Sequence, residues 1–175
     1  MRSYCIYCKT GSERSLAGQL AKDVRELHGY EVVILFPQRV LHERKKGVWH
    51  KVEQPLMPGY LFLYMEDEDL FYSYLVKQER DVYKVLRYSD GSMQLKAGDE
   101  QYARWLWNHN GKLEPSKVVF EEGQPVKVIS GPLMDMDGRI VKMDRHKKRA
   151  VVAFMFAGEE RTMNLSVEAI DSAQE

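Results

Sequence analysis

Cysteine is nearly absent: two residues in a chain of 175 cannot build the disulfide framework of a small secreted domain. No apolar run approaches the roughly 18 residues needed to cross a bilayer. The opening Met1-Arg2-Ser3-Tyr4-Cys5 lacks a charged-then-apolar leader pattern. A cytoplasmic chain with no membrane partner is expected. An excess of either charge is missing too, since 26 Lys and Arg balance 26 Asp and Glu. That argues against a sequence-independent coat on DNA, so any nucleic-acid binding must come from local clusters.

Catalytic constellations are also missing. No H-x-x-x-H pair, G-x-S-x-G elbow or phosphate-binding glycine loop occurs, and His28, His42, His50, His109 and His146 are scattered. Neither an enzymatic activity nor a cofactor is expected. Cys5-Ile6-Tyr7-Cys8 fits C-x-x-C, the pattern of a redox or metal pair. Both thiols fall inside a predicted strand, however, where residues three apart face opposite sides. No second pair completes a tetrahedral zinc site. The two read as small core residues, with no metal.

Six Phe, ten Tyr and three Trp supply the apolar surface of an ordered core. Ser3 to Cys8 is strand-prone. From Glu13 to His28 the period changes, with Leu16, Ala17, Leu20, Ala21, Val24 and Leu27 at helical spacing, Ser12 placed to cap and Gly29 to stop. Glu31 to Phe36 reads as a strand ended by Pro37. Arg39 to Arg44 and Val48 to Glu53 read as the arms of a hairpin tipped by Lys45-Lys46-Gly47. Tyr60 to Met65 is an unbroken apolar strand, Leu70 to Gln78 a helix and Val82 to Tyr88 a strand. A last helix carries Tyr102, Trp105 and Leu106 and is capped by Asp99. That order predicts an α+β sandwich, helices packed on a mostly antiparallel sheet.

After a polar stretch the pattern becomes all strand. Val126 to Ile129, Arg139 to Met143, Ala150 to Phe156 and Arg161 to Leu165 are separated by Gly131-Pro132, Asp144 to Lys148 and Gly158. This is the spacing of a small barrel. The expected division is a first domain at 1–110, a linker at 111–119 and a second domain at 120–175.

Two features suggest partners. In Tyr60-Leu61-Phe62-Leu63-Tyr64-Met65 both faces are apolar, so the strand is either sandwiched inside or presents one face to another protein. The densest basic run, Arg145-His146-Lys147-Lys148-Arg149 joined by Lys142, falls at a predicted hairpin tip. It is either a solvated turn or a phosphate-contacting site. The looser cations Arg39, Arg44, Lys45, Lys46 and Lys51 read first as a solvated edge that blocks strand pairing.

Three segments together resemble one family. Tyr4 to Gly11 and Pro55-Leu56-Met57-Pro58-Gly59-Tyr60-Leu61-Phe62 resemble the opening strand and the F-P-G-Y strand of NusG N-terminal (NGN) domains. Gly123 to Val128, Gly131-Pro132-Leu133 and Asp137-Gly138-Arg139-Ile140-Val141 resemble a KOW motif, with Gly131, Pro132 and Gly138 as its marks. The resemblance implies an NGN domain followed by a five-stranded, SH3-like KOW barrel, and a monomeric transcription elongation factor. It also implies docking on the β′ clamp helices of RNA polymerase through Tyr7, Met57, Tyr60, Phe62 and Val85. From the placement of charge rather than from the resemblance, structured nascent RNA is expected to meet Lys142, Arg145, His146, Lys147, Lys148 and Arg149.

The opening Tyr-Cys-Lys-x-Gly resembles specialised paralogues such as LoaP and RfaH, which promote read-through of terminators at chosen operons. Processive antitermination is therefore the expected output. A housekeeping NusG-type pause and termination modulator, and a ribosome-associated KOW protein, are the alternatives. Direct DNA contact stays open, although Phe71-Tyr72-Ser73-Tyr74 lacks the His-Thr-Thr pattern of the RfaH DNA-reading loop. At Phe156-Ala157-Gly158-Glu159-Glu160 the chain departs from the apolar loop that helps NusG bind NusE or Rho. The valines at 126, 128, 141, 151 and 152 favour strands, so no helix-to-barrel switch is expected.

Overall fold

A computed structural model of the chain describes residues 1–66, 80–121 and 125–170. The helix expected at Leu70 to Gln78, with Phe71-Tyr72-Ser73-Tyr74, lies outside them. In chain order the elements are β1 (Arg2–Cys8), α1 (Glu13–His28), β2 (Val33–Leu35), β3 (Gln38–Lys45), β4 (Val48–Pro55), β5 (Tyr60–Met65) and β6 (Val82–Val85). Then come α2 (Ala97–Asn108), β7 (Lys112–Leu113), β8 (Ser116–Val119), β9 (Lys127–Ser130), α3 (Pro132–Asp135), β10 (Arg139–Asp144), β11 (Arg149–Phe156) and β12 (Glu159–Ala169). They form two compact units, Met1–Pro37 with Met57–Ala103, and Gln38–Leu56 with Arg104–Glu175.

The first unit is an α+β arrangement on a sheet ordered β2-β5-β1-β6. β1 and β5 pair antiparallel from Arg2↔Met65 to Tyr7↔Tyr60. Strand alternation sends Tyr4, Ile6, Cys8, Leu61, Leu63 and Met65 to the side of α1, where they pack with Leu16, Leu20 and Val24. The helix follows the predicted periodicity except at Leu27, which is exposed. Its C-terminus is the expected one: Gly29 adopts φ +70 and its N–H returns to the Arg25 carbonyl at 3.0 Å.

The N-terminus differs from expectation. Ser12 occupies the cap position without a side-chain cap bond. Buried Glu13 accepts instead from the N–H of Gly11 at 2.7 Å and of Gly59 at 2.8 Å. Similarly, Asp99 lies within the first turn of α2 and accepts the Tyr88 hydroxyl at 2.7 Å.

In the second unit the C-terminal β domain is a five-stranded sheet ordered β10-β11-β12-β8-β9. Val152, Phe154 and Phe156 of β11 and Met163, Leu165 and Val167 of β12 are buried. The stretch expected as a linker contains two strands. β8 runs parallel to β12 from Ser116↔Val167, and β7 pairs in parallel with β3 at Gln38↔Lys112 and Arg39↔Leu113. Parallel pairing with a distant strand leaves no local periodic signature, so the sequence pattern did not mark these two short elements.

Candidate protein- and nucleic-acid-binding surfaces

The ambiguity of β5 resolves residue by residue. Phe62 is fully buried, its ring centroid 5.8 Å from that of Tyr102. Tyr64 is buried beside it and donates its hydroxyl to the Ala103 carbonyl at 2.6 Å, and burial pushes its pKa up. Met57 is buried with its sulfur 3.3 Å from the Tyr102 hydroxyl. The start of α2 therefore covers the middle of the strand.

At the strand's other end the face is accessible. Tyr7 and Tyr60 are cross-strand partners, both half-buried, with ring centroids 4.4 Å apart. Lys84 Nζ lies 4.6 Å from the Tyr7 centroid, whereas Val85, paired with Ile6, is partly buried on the opposite, α1 side of the sheet. Of the five predicted docking residues, Tyr7 and Tyr60 are reachable on this face and Phe62 and Met57 are buried in it, whereas Val85 lies on the other face, against the core beneath α1. Lys84 was missed; an exposed lysine alternating with Val85 and Tyr83 was its only signal.

The turn before this strand needs glycine. Gly59 has φ +81, and a Cβ there would lie 3.1 Å from the Cys8 carbonyl oxygen. Cys8 returns its N–H to Gly59 at 2.8 Å. The backbone closure and the Glu13 bond together fix the approach to Tyr60. Cys5 and Cys8 are both buried free thiols on opposite sides of β1. Burial, then Glu13 and Asp81, push the Cys8 pKa up to about 11, so it is a neutral thiol near pH 7 rather than a nucleophile.

In the second unit, the hairpin β3–β4 packs on the outer face of β12. Arg39 Nη1 donates to the Asn164 carbonyl at 2.9 Å, and the His42 N–H to Ser166 Oγ at 3.1 Å. His42 Nε2 and Lys51 Nζ both lie 3.4 Å from Glu168 Oε1. Alternation explains the choice of residues: Met163, Leu165 and Val167 face the core, leaving Asn164, Ser166 and Glu168 for the hairpin.

The basic turn between β10 and β11 divides in the same way. Lys142, Arg145, His146 and Lys147 are exposed. Asp144 accepts the Lys147 N–H at 2.9 Å, a local bond that shapes the turn. Arg145 stacks its guanidinium 4.2 Å from the Phe120 centroid. Lys148 lies 4.9 Å from the centroid of Trp49 on the hairpin. Arg149 is only partly exposed and approaches Glu43 at 4.0 Å, so it belongs to the hairpin contact rather than to the free turn.

The motif glycines act by close approach. Gly131 has φ +94, and a Cβ there would meet Ser116 Cα at 2.8 Å. Pro132 opens α3, and its carbonyl accepts the Trp105 indole N–H at 2.9 Å. At Gly138 a Cβ would meet the Ala153 carbonyl oxygen at 3.0 Å. Phe156, in the loop stretch that differs from NusG, is fully buried, whereas Glu159 and Glu160 are exposed. Among the described residues no helix is long and apolar enough to cross a membrane, and no three potential metal ligands cluster.

Comparison with known proteins agrees with this geometry. A family described as "Transcription termination factor nusG" matches residues 1–102. The transcription termination/antitermination protein NusG of Pseudomonas aeruginosa is 27% identical over 178 residues, covering 97% of this chain and 97% of that protein. That of Thermus thermophilus is 23% identical over 185 residues, with the same coverage of 97% of each. Among solved structures, one described as "Domain interaction in Thermotoga maritima NusG" aligns with TM-score 0.59 at 25% identity, covering 94% of this chain and 93% of that one.

Proposed function

The chain belongs to the NusG family of transcription termination and antitermination factors, and from that premise we propose that it is a specialised member promoting terminator read-through by RNA polymerase. The N-terminal domain docks on the β′ clamp helices through Tyr7 and Tyr60, with Lys84 at the margin and Phe62 and Met57 buried on the same side of the sheet. The C-terminal domain holds nascent RNA through Lys142, Arg145, His146 and Lys147. Direct DNA contact is not part of this reading.

The half-exposed Tyr7–Tyr60 pair carries the polymerase reading. A rigid aromatic pair over a packed foundation loses little conformational freedom on binding and is a typical hot-spot composition. Docking would bias polymerase toward its elongating conformation, an effect on populations that requires no catalytic group. Burial of Phe156 favours the specialised reading over the housekeeping one. In the stretch that resembles the NusE- and Rho-binding loop, the Phe stands one place early and is taken up by the core, and Glu159 and Glu160 make the loop acidic.

Single-round transcription through a terminator, on a template carrying the leader of the neighbouring operon, tests this. The protein is expected to raise read-through. The Tyr7→Ala, Tyr60→Ala double variant, checked for an unchanged circular-dichroism spectrum, is expected to return it to the level without factor. Full read-through by the folded double variant would discard the docking face.

A further inference from the structure

Two basic segments about one hundred positions apart in the chain converge in the second unit. On the hairpin, Arg44 pairs with Trp49 and His42 with Lys51. Directly opposed residues share a face, so Arg44, Trp49 and Lys51 lie on the same side as His42. That is the side that meets Glu168 and Lys148. The turn after β10 therefore lies against this face, with Lys148 at the Trp49 ring and Arg145, His146 and Lys147 exposed next to it in sequence. Lys45 and Lys46 continue the basic character to the exposed hairpin tip.

Trp49 is 36% exposed and Val48 is 58% exposed, an unusual placement for large apolar groups beside so many cations. Burying Trp49 in the core would have been the economical use of an indole. A solvated cationic edge, the first reading of this hairpin, needs no aromatic. The acidic groups on or beside this face are engaged: Glu168 by His42 and Lys51, Glu53 by Lys112, and Asp144 by the backbone of its own turn. An aromatic ring interleaved with phosphate-reaching cations is the arrangement that takes unpaired nucleotides, because every base offers a stacking face.

We propose that the hairpin β3–β4 and the β10–β11 turn form one surface for single-stranded RNA, in which Trp49 stacks a base while Arg44, Arg145 and Lys147 hold the adjoining phosphates. This rests on the reading that the C-terminal domain binds RNA and adds to it the hairpin and the need for an unpaired segment. Lys148 contributes from the Trp49 side, and Arg149 fastens the turn to the hairpin through Glu43 rather than contacting RNA.

The test is fluorescence anisotropy of the full chain with a labelled unstructured RNA of about twelve nucleotides, the same sequence as DNA, and a blunt RNA duplex, across a salt series. Trp49→Ala is expected to weaken the single-stranded RNA complex roughly 5- to 100-fold, with its salt slope unchanged and Trp49→Phe recovering most of the loss. Lys147→Ala is expected to lower affinity and reduce the salt slope by about one. Loss with Lys147→Ala but none with Trp49→Ala would overturn the composite surface and leave RNA binding by the turn standing. Loss with neither variant would remove both. Preference for the duplex or for DNA would overturn the assignment to single-stranded RNA.

Discussion

The indole N–H of Trp105 donates to the carbonyl of Pro132 at 2.9 Å, and both groups are buried. This bond ties the last turns of α2 to the Gly131-Pro132 segment from which α3 starts. Ser116 completes the connection: its hydroxyl accepts the Leu133 N–H at 3.0 Å, and Gly131 lies against its Cα. Replacing Trp105 by Phe leaves a buried carbonyl without its donor, at a cost of about 1–3 kcal/mol, and the smaller ring adds a cavity that costs more. A urea denaturation midpoint lowered with an unchanged m-value is the expected signature.

Gly131→Ala should be worse. The new methyl would stand 2.8 Å from Ser116 Cα, which is backbone and cannot rotate away, at a residue with φ +94. The strain and the clash together should exceed about 2 kcal/mol. Cooperative loss of the second unit at reduced temperature, followed by circular dichroism, is expected. Wild-type melting behaviour would show that the strand β8 yields more easily than its pairing suggests.

Glu13 makes a separate prediction for the first unit. Its carboxylate serves the N–H groups of Gly11 and Gly59 at once, so Glu13→Ala leaves two backbone donors unpaired. Hydrogen bonds to a charged acceptor contribute about 1.5–3 kcal/mol each, and even the lower figure would be visible as a fall in thermal midpoint. Because the bond to Gly59 sets the turn before Tyr60, read-through activity should fall as well. An active variant with a lowered midpoint would separate stability from docking.

His42 gives the pH dependence. Burial, ahead of Lys148 and Lys51, lowers its pKa against the opposing pull of Glu168. The folded state therefore favours the neutral ring, and the unfolded chain takes up the proton first as pH falls. Stability from this group is fully present above the unfolded value of about 6.5 and is lost as pH drops through the lower folded value. Urea titrations at pH 7.5 and 5.5 should show a larger decline in the wild type than in His42→Gln. An equal decline in both would assign the acid sensitivity to other groups.

Much of this protein was legible in its sequence because local forces act there. Glu13–His28 carries a 3.6-residue apolar period and a left-handed stop at Gly29, and Tyr60–Met65 forms as the β-prone run it is. The alternating residues of β11 and β12 announce a strand pair, and the family motifs supply the order of the two domains. The basic turn at 145–148 was equally plain, since charge clustering is a property of sequence.

Tertiary structure decided which of these groups face outward. Whether Phe62 is surface or core depends on Tyr102, forty positions away, and nothing in the alternation of β5 distinguishes cover by a helix from cover by a partner. Ser12 makes no side-chain cap bond, and the Glu13 carboxylate instead joins the turn at Gly11 to Gly59, a donor brought to it from a distant part of the chain. The meeting of Trp49 with Lys148, and of His42 with Ser166 and Glu168, has no periodic trace at all. Local propensity fixes where strands and helices begin. The burial of individual side chains follows from long-range packing, which a single sequence encodes only through the contacts it finally makes.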